Sequence, residues 1–217
     1  MRPTYWLLPL AAYFYGAIPF GFLTARLIKG VDIRRAGSGN IGATNAARVL
    51  GWKFFPLVFF LDFSKGLLPP LVAGTLVQGA GPYQPHPLAV AAAAAAIAGH
   101  VFPVYLGFKG GKAVAAGTGA CLVLAPWALL GGAVAWGLAF ALWRYVSLAS
   151  MSAAVTLAAL AWIVYPDPLG SGAFRTAFAT LGALLVLARH VGNIRRLLSG
   201  TEQKVGLRRK PPRPPGQ

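Results

Sequence analysis

The polar positions of this 217-residue chain are gathered into short islands, and long apolar runs separate them. A bilayer-crossing helix needs about 20 mostly apolar residues, and shorter ones serve inside a bundle. Runs of this kind occupy residues 5–28, 54–77, 87–106, 113–126, 127–144, 148–165 and 174–192. The pattern predicts an all-α protein, a polytopic integral membrane bundle of seven transmembrane helices. Between 113 and 165 the division is less marked. Pro126 and the Gly131-Gly132 pair either divide the first part into two short helices or kink one long one. The first run is not read as a signal peptide, because it is long and Arg26 and Lys29 follow it rather than precede it. It also lacks a small-residue cleavage site.

Composition agrees with a membrane setting. Hydrophobic residues make up 57% and charged residues 11%, against about 25% charged in a soluble domain. The acidic residues are only Asp32, Asp62, Asp167 and Glu202. Such a chain is neither a soluble globule nor disordered, and one cysteine, Cys121, excludes a disulfide scaffold.

The net charge of +16 makes the placement of the cations informative. Nucleic-acid binding needs them on a soluble surface or a recognition helix. Here they lie between apolar runs, which suits an anionic bilayer surface, so no nucleic-acid partner is expected. With seven spans and the N-terminus outside, all but three of the 20 Lys and Arg residues fall inside. The exceptions are Arg2 and Arg175 outside and Lys65 within a span, while the loops near 78–86 and 166–173 hold no Lys or Arg. The positive-inside rule then puts the C-terminus in the cytoplasm. Five spans would orient the ends identically. Residues 1–204 read as a single integral membrane domain and residues 205–217 as a basic, Pro-rich cytoplasmic tail near the headgroups.

Three islands exceed ordinary loops. The first, Gly37-Ser38-Gly39-Asn40-Ile41-Gly42-Ala43-Thr44-Asn45-Ala46-Ala47-Arg48, contains a literal G-x-G-x-x-G. A dinucleotide site requires strand, glycine turn, helix and second strand, whereas apolar spans flank this island. Asp62, twenty residues on, has Lys65 at i+3, so an intramembrane ion pair is expected instead. Glycine amides, Ser38, Asn40, Thr44, Asn45 and Arg48 could still cradle a phosphate; a tight turn with a helix cap uses the same residue types. The second island is Gly99-His100-Val101-Phe102-Pro103 followed by Phe108-Lys109-Gly110-Gly111-Lys112. It departs from the NTP-binding loop, with Leu106 in place of a glycine and Ala113 in place of the magnesium-holding Ser or Thr. It reads either as a phosphate cradle or as a basic membrane-edge turn.

The third island runs from His190 through Asn193, Arg195, Arg196 and Ser199-Gly200 to Glu202 and Lys204. If the last helix continues through it, His190 and Asn193 share a face, with Arg189 and Arg196 nearby; an amphipathic surface helix is the plainer alternative. The histidines are scattered and no carboxylate pair accompanies them, so no metal is expected. Cys121 lies in a span without a basic neighbour and is a poor nucleophile. Three islands of Gly, small polar and basic residues on one side point to one site for phosphorylated ligands.

The strings GSGNIGATNAAR, GHVFPVYLGFKGGKAVA and HVGNIRRLLSGTE, with DFSKG around Asp62, resemble the motifs of bacterial membrane-bound glycerol-3-phosphate acyltransferases that use acyl phosphate. The resemblance extends from about residue 5 to 204. Ala113 and Ala116 depart from it, where glycine and threonine are usual. It implies transfer of a fatty acyl group from acyl phosphate to the sn-1 hydroxyl of glycerol 3-phosphate, giving lysophosphatidate and phosphate, the first step of phospholipid biosynthesis. Because acyl phosphate is already activated, no cofactor and no covalent acyl-enzyme are required, and the sequence offers no convincing triad. Membrane lipid is the remaining partner, and a monomer at the inner membrane with a cytoplasmic site is expected.

On this reading His190, positioned with Asn193, takes or relays the hydroxyl proton, unless the donor phosphate does so. Lys109, Lys112 and the Gly110 and Gly111 amides hold glycerol phosphate. Ser38, Gly37, Gly39, Asn40, Thr44, Asn45 and Arg48 hold a phosphate and orient the donor. Glu202 orients a basic side chain, and Arg196 completes the binding set. An organophosphate or anion transporter is the competing class, but paired halves are absent and the polar motifs keep to one face. A lipid-binding scaffold would leave the three loops unused.

Overall fold

Small residues decide how closely the helices of this chain approach one another. The computed structural model describes residues 4–77, 86–165, 167, 169–170 and 172–206. Its regular elements among those residues are α1 (Thr4–Ala17), α2 (Phe20–Lys29), α3 (Ala43–Leu50), α4 (Phe55–Leu76) and α5 (Pro87–Val101). They continue as α6 (Val114–Leu124), α7 (Pro126–Trp143), α8 (Val146–Val164), α9 (Ala173–Arg189) and α10 (Val191–Leu198), joined by single 3-10 turns. The alanine-rich α5 lies in the core, with Ala92, Ala93 and Ala96 fully buried. α1 crosses α5 so closely that a Cβ on Gly16 would strike the Ala96 carbonyl, and one on Gly99 the Tyr13 carbonyl. α4 meets α6 in the same way, Gly66 lying on the Ala116 carbonyl and Gly119 on that of Phe63. Membrane helices gain association through such backbone approach, because lipid offers little hydrophobic drive between them.

The expected first run is divided. Ile18 and Pro19 interrupt it, and Gly30, left-handed at φ 68°, closes α2 by donating its N–H to the Arg26 carbonyl. Five segments are long and apolar enough to cross a bilayer: Tyr5–Lys29, Trp52–Leu76, Pro87–Leu106, Pro126–Trp143 and Val146–Val164. α9 with α10 makes a sixth if their 56° bend counts as a broken span. α6 has 11 residues, a rise of about 17 Å against a hydrocarbon core of about 30 Å. Lengths among the described residues thus give an integral membrane bundle with five or six candidate spans. Leu, Ile, Phe and Trp side chains such as Trp6, Phe60, Trp127, Leu138 and Ile163 face outward, as in a bundle solvated by lipid. Arg2, the loop 78–85 and the tail from 207 onward lie outside the described residues.

Candidate active site

The first island folds around one side chain. Asn45, on the first turn of α3, is buried, and its Oδ1 accepts the Ser38 N–H at 2.8 Å. Its Nδ2 donates to the carbonyls of Asn40, Ala36 and Ile33 at 2.8, 3.0 and 3.1 Å. Gly37 adopts φ 59° and a Cβ there would strike Asn45 Oδ1, so the loop closes only over glycine. Asn40 Oδ1 caps the Gly42 N–H at 2.9 Å. The expectation that Asn45 touches a ligand meets an amide whose hydrogen-bonding capacity is already spent on the loop. Gly37 and Gly39 shape the turn and do not line the cavity, whereas Ser38, Asn40, Thr44, Asn45 and Arg48 do. Among the described residues the Arg48 guanidinium makes no hydrogen bond, though Glu202 and Arg196 act on its charge.

The second island corrects a sharper expectation. The Gly110 and Gly111 amides donate at 3.1 and 2.9 Å to the carbonyls of Val101 and His100, at the end of α5. They are therefore not free to bind a phosphate. A Cβ on Gly111 would strike His100 Nε2, and one on Gly110 the His100 carbonyl, so close backbone approach is what requires these glycines. Their own carbonyls accept Arg189, Nη2 to Gly110 at 3.1 Å and Nε to Gly111 at 3.2 Å. Lys109 is exposed and lies off the cavity, while Lys112 lines it. Ala113 heads α6 at φ 64°, left-handed backbone that a glycine adopts with less strain.

The third island is not one straight helix. α9 ends at Arg189 and α10 leaves at 56°, so His190 sits in the bend with Nδ1 donating to the Val186 carbonyl at 2.8 Å. That bond leaves Nε2 of a neutral ring as an acceptor. Asn193 Oδ1 takes the Lys112 ammonium, and Asn193 Nδ2 donates to Glu202 Oε1 at 2.7 Å. Glu202 also accepts Ser147 Oγ at 2.8 Å and Arg196 Nε at 2.7 Å. Arg196 thus clamps Glu202 and does not line the cavity, contrary to its expected place among the ligands.

Charge follows from this geometry. Burial, reinforced by Arg196, Arg48 and Arg189 and opposed by Glu202, lowers the Lys112 pKa to about 8. Burial alone would raise the pKa of Glu202. The hydrogen bonds from Asn193, Ser147 and Arg196 outweigh it and hold the carboxyl below its ordinary value. Two residues escaped sequence reasoning in these roles. Ser147, on the first turn of α8, carries no motif signal. Arg189 reads from the sequence only as a neighbour of His190, yet it binds the second island.

All three islands line one cavity of about 420 Å³, together with Ser147 and an apolar wall that includes Phe59, Ile97, Val114, Trp136, Leu157 and Phe178. A mostly apolar pocket with a few convergent polar groups is the usual form of a ligand site. At its polar end stand Ser38, Arg48, Lys112, His190 and Asn193. Such a pocket can hold an anionic head and a long hydrocarbon chain at once. In the span below, Lys65 Nζ meets Asp62 Oδ1 at 2.6 Å, the expected intramembrane pair, and His100 joins them.

The glycerol-3-phosphate acyltransferase family pattern matches residues 6–200. A glycerol-3-phosphate acyltransferase of Anaeromyxobacter dehalogenans strain 2CP-C is 46% identical over 205 residues, covering 92% of this chain and 96% of the relative. One from Syntrophotalea carbinolica is 43% identical, with 93% and 97% covered. Among solved structures, PlsY (YgiH), an integral membrane glycerol 3-phosphate acyltransferase, superposes in its glycerol 3-phosphate form with a TM-score of 0.84. It is 38% identical, over 94% of this chain and 96% of that one. Its lysophosphatidic acid form gives a TM-score of 0.81 at 37% identity. The chain belongs to the glycerol-3-phosphate acyltransferase family.

Proposed function

We propose that this enzyme transfers a fatty acyl group from acyl phosphate to the sn-1 hydroxyl of glycerol 3-phosphate, giving lysophosphatidate and inorganic phosphate. One observation carries the reading: Arg48, Lys112 and His190, from three separate islands, line the polar end of a cavity whose remaining wall is apolar. The hydroxyl oxygen attacks the acyl carbonyl, a new ester C–O bond forms, and the C–O bond to the leaving phosphate breaks. No acyl-enzyme intervenes, because the mixed anhydride is already activated. Lys112, held by Asn193, neutralises the glycerol phosphate, and Arg48 with Ser38 orients the donor. His190 Nε2 receives the hydroxyl proton while Nδ1 stays bonded to Val186. Glu202 fixes Asn193 and thereby Lys112.

In this reading the chain crosses the inner (plasma) membrane seven times, α6 serving as a short span covered by its neighbours. The N-terminus lies outside, the C-terminus in the cytoplasm, and the site opens on the cytoplasmic side. The placement of the basic residues supports that orientation. Residues 1–204 act as one monomeric domain, with the tail 205–217 at the headgroups. The purified protein in detergent is expected to release phosphate only when acyl phosphate and glycerol 3-phosphate are both present, and acyl-coenzyme A is expected to fail as donor. Release without glycerol 3-phosphate overturns the reading. His190→Ala is expected to slow the reaction by about 10²–10⁴. A loss below about tenfold assigns the proton to the donor phosphate instead.

A further inference from the structure

The cluster of Asp62, Lys65 and His100 takes no part in the reaction as described, yet it is the most costly polar feature of the bundle. All three side chains are buried, at 1–3% exposure. Lys65 Nζ lies 2.6 Å from Asp62 Oδ1 and 3.4 Å from His100 Nδ1, and His100 Nδ1 lies 3.6 Å from Asp62 Oδ1. The Phe20 ring faces the ammonium, its centroid 4.7 Å away. Buried pairs of this kind are rarely worth more to stability than apolar side chains of the same volume. Inside a membrane they commonly mark function.

The position of His100 says what the cluster is for. The residue is the penultimate one of α5, and its two ring edges face different things. Nδ1 faces the Asp62–Lys65 pair. Nε2 lies against the backbone of Gly111, so closely that no Cβ fits there. Its carbonyl takes the Gly111 N–H at 2.9 Å. Lys112 is the next residue, and both Asp62 and His100 reach the cavity that Lys112 lines. Arg189 holds the same Gly110–Gly111 backbone from the opposite side, through its carbonyls.

We propose that His100 is a positioning residue for glycerol phosphate binding: the intramembrane Asp62–Lys65 pair fixes its ring, and the ring fixes the Gly111–Lys112 backbone. The inference rests on the reading that Lys112 holds glycerol phosphate. The ion pair is the rigid anchor. The ring is the strut, and Lys112 is the group it aims. Asp62 and Lys65 sit one helical turn apart on α4, so their geometry is fixed before any ligand arrives.

The two amide replacements for histidine separate the edges of the ring. In His100→Asn the side-chain amide stands near the place of Nδ1 and faces the ion pair, but the Nε2 edge is lost. In His100→Gln the longer side chain reaches the place of Nε2. Both variants are to be purified in detergent, checked by thermal unfolding, and assayed with each substrate varied in turn. His100→Asn keeps the Gly111 N–H bond to the carbonyl of residue 100 but removes the close packing of the Nε2 edge. KM for glycerol 3-phosphate is therefore expected to rise about tenfold as Lys112 shifts, with KM for acyl phosphate within about twofold. His100→Gln is expected to recover most of that loss. Equal rises in both KM values, or unchanged KM values with less folded protein, overturn the proposal. So does a His100→Gln variant no better than His100→Asn. If His100→Asn does not fold, a folded His100→Gln must keep the wild-type KM for glycerol 3-phosphate, and failure of both to fold assigns His100 to stability alone. Failure of the wild-type protein to use glycerol 3-phosphate at all removes the underlying reading instead.

Discussion

Two carboxylates of this chain, Glu202 and Asp62, organise charge in opposite ways. Glu202 stands at the polar end of the cavity and gathers Ser147 from α8, Asn193 and Arg196 from α10 and, through Asn193, Lys112 from the second island. Arg196 and Asn193 are near in sequence, but Ser147 is 55 residues away and Lys112 lies in another island, so the carboxylate ties together segments that no single helix would hold. Asp62 lies inside α4 and its cation is three residues away on the same helix. Helix geometry makes that pair, and burial makes it expensive to break. The cavity cluster is therefore an assembly device that touches the reaction, and the intramembrane cluster is an anchor for what lies above it. Damage to the first is expected in the rate, damage to the Asp62–Lys65 pair chiefly in stability, and damage to His100, which the pair holds, in the KM for glycerol 3-phosphate.

The strongest test of that difference is Asp62→Ala, which leaves the Lys65 ammonium buried without its counter-charge. A loss of about 3–5 kcal/mol is expected in denaturant titration of the detergent-solubilised protein. The double variant Asp62→Leu/Lys65→Met removes both charges and should retain more stability than the single one. A double variant as unstable as Asp62→Ala would mean that the pair's charge is not what matters. Next comes Glu202→Gln, which keeps an oxygen for Asn193 but removes the charge that holds Arg196. Here about 1–3 kcal/mol of stability is expected to go, and kcat/KM to fall about 10–100-fold, because Asn193 and Lys112 lose their alignment. A fully active Glu202→Gln protein would reduce the cavity cluster to a helix clamp.

The sequence carried the helical class, the apolar runs and the three motif strings, because each is written in local composition. It also carried the Asp62–Lys65 pair, since i, i+3 spacing is a property of one helix. It carried the short α6 as well, for the Lys109–Lys112 island precedes it and Pro126 opens the next helix, but it did not carry the break at Pro19, which divides an otherwise apolar run. In the site, the residue types were readable and their partners were not. Gly110 and Gly111 look like a phosphate cradle to any local rule, yet their amides are taken by α5 through a return of the chain. Asn45 looks like a ligand and is a staple. Ser147 has no motif around it, and only the folding of α8 against the third island brings it to Glu202. The bend at His190 could not be read either, for no proline or left-handed glycine marks it.

A smaller effect, and one confined to binding, comes from Lys112. Its pKa is lowered to about 8 by burial and by the neighbouring arginines, and only the protonated ammonium neutralises a phosphate. The free enzyme is therefore charged at Lys112 below about pH 8 and loses that charge above it. KM for glycerol 3-phosphate is expected to climb as pH rises through that value, by up to about tenfold per unit, with kcat much less affected. Lys112→Arg stays protonated throughout, so its KM should be flat over the same range even if it is higher overall. A wild-type KM that does not rise between pH 7.5 and about 9.5 would remove Lys112 as the charged ligand.

Asp32 supplies the least demanding test, because it is a third carboxylate with neither of the two roles. It accepts the Arg34 N–H and pairs with the Arg34 guanidinium at 2.8 Å, and the Arg34 hydrogen bonds hold its pKa down at about 2. The bond is between exposed neighbours two residues apart, in solvent that screens it. A depressed carboxylate pKa means that whatever the pair contributes is present above the unfolded value of 3.8 and is lost as pH falls toward 2. At neutral pH, Asp32→Asn keeps the oxygen that caps the turn and removes only the charge. Melting temperature and kcat/KM are therefore expected to stay at their wild-type values. A measurable loss of activity would place the turn at Asp32–Arg35, just ahead of the first island, in contact with substrate, and the roles of the carboxylates could no longer be divided between Glu202 as assembler and Asp62 as anchor.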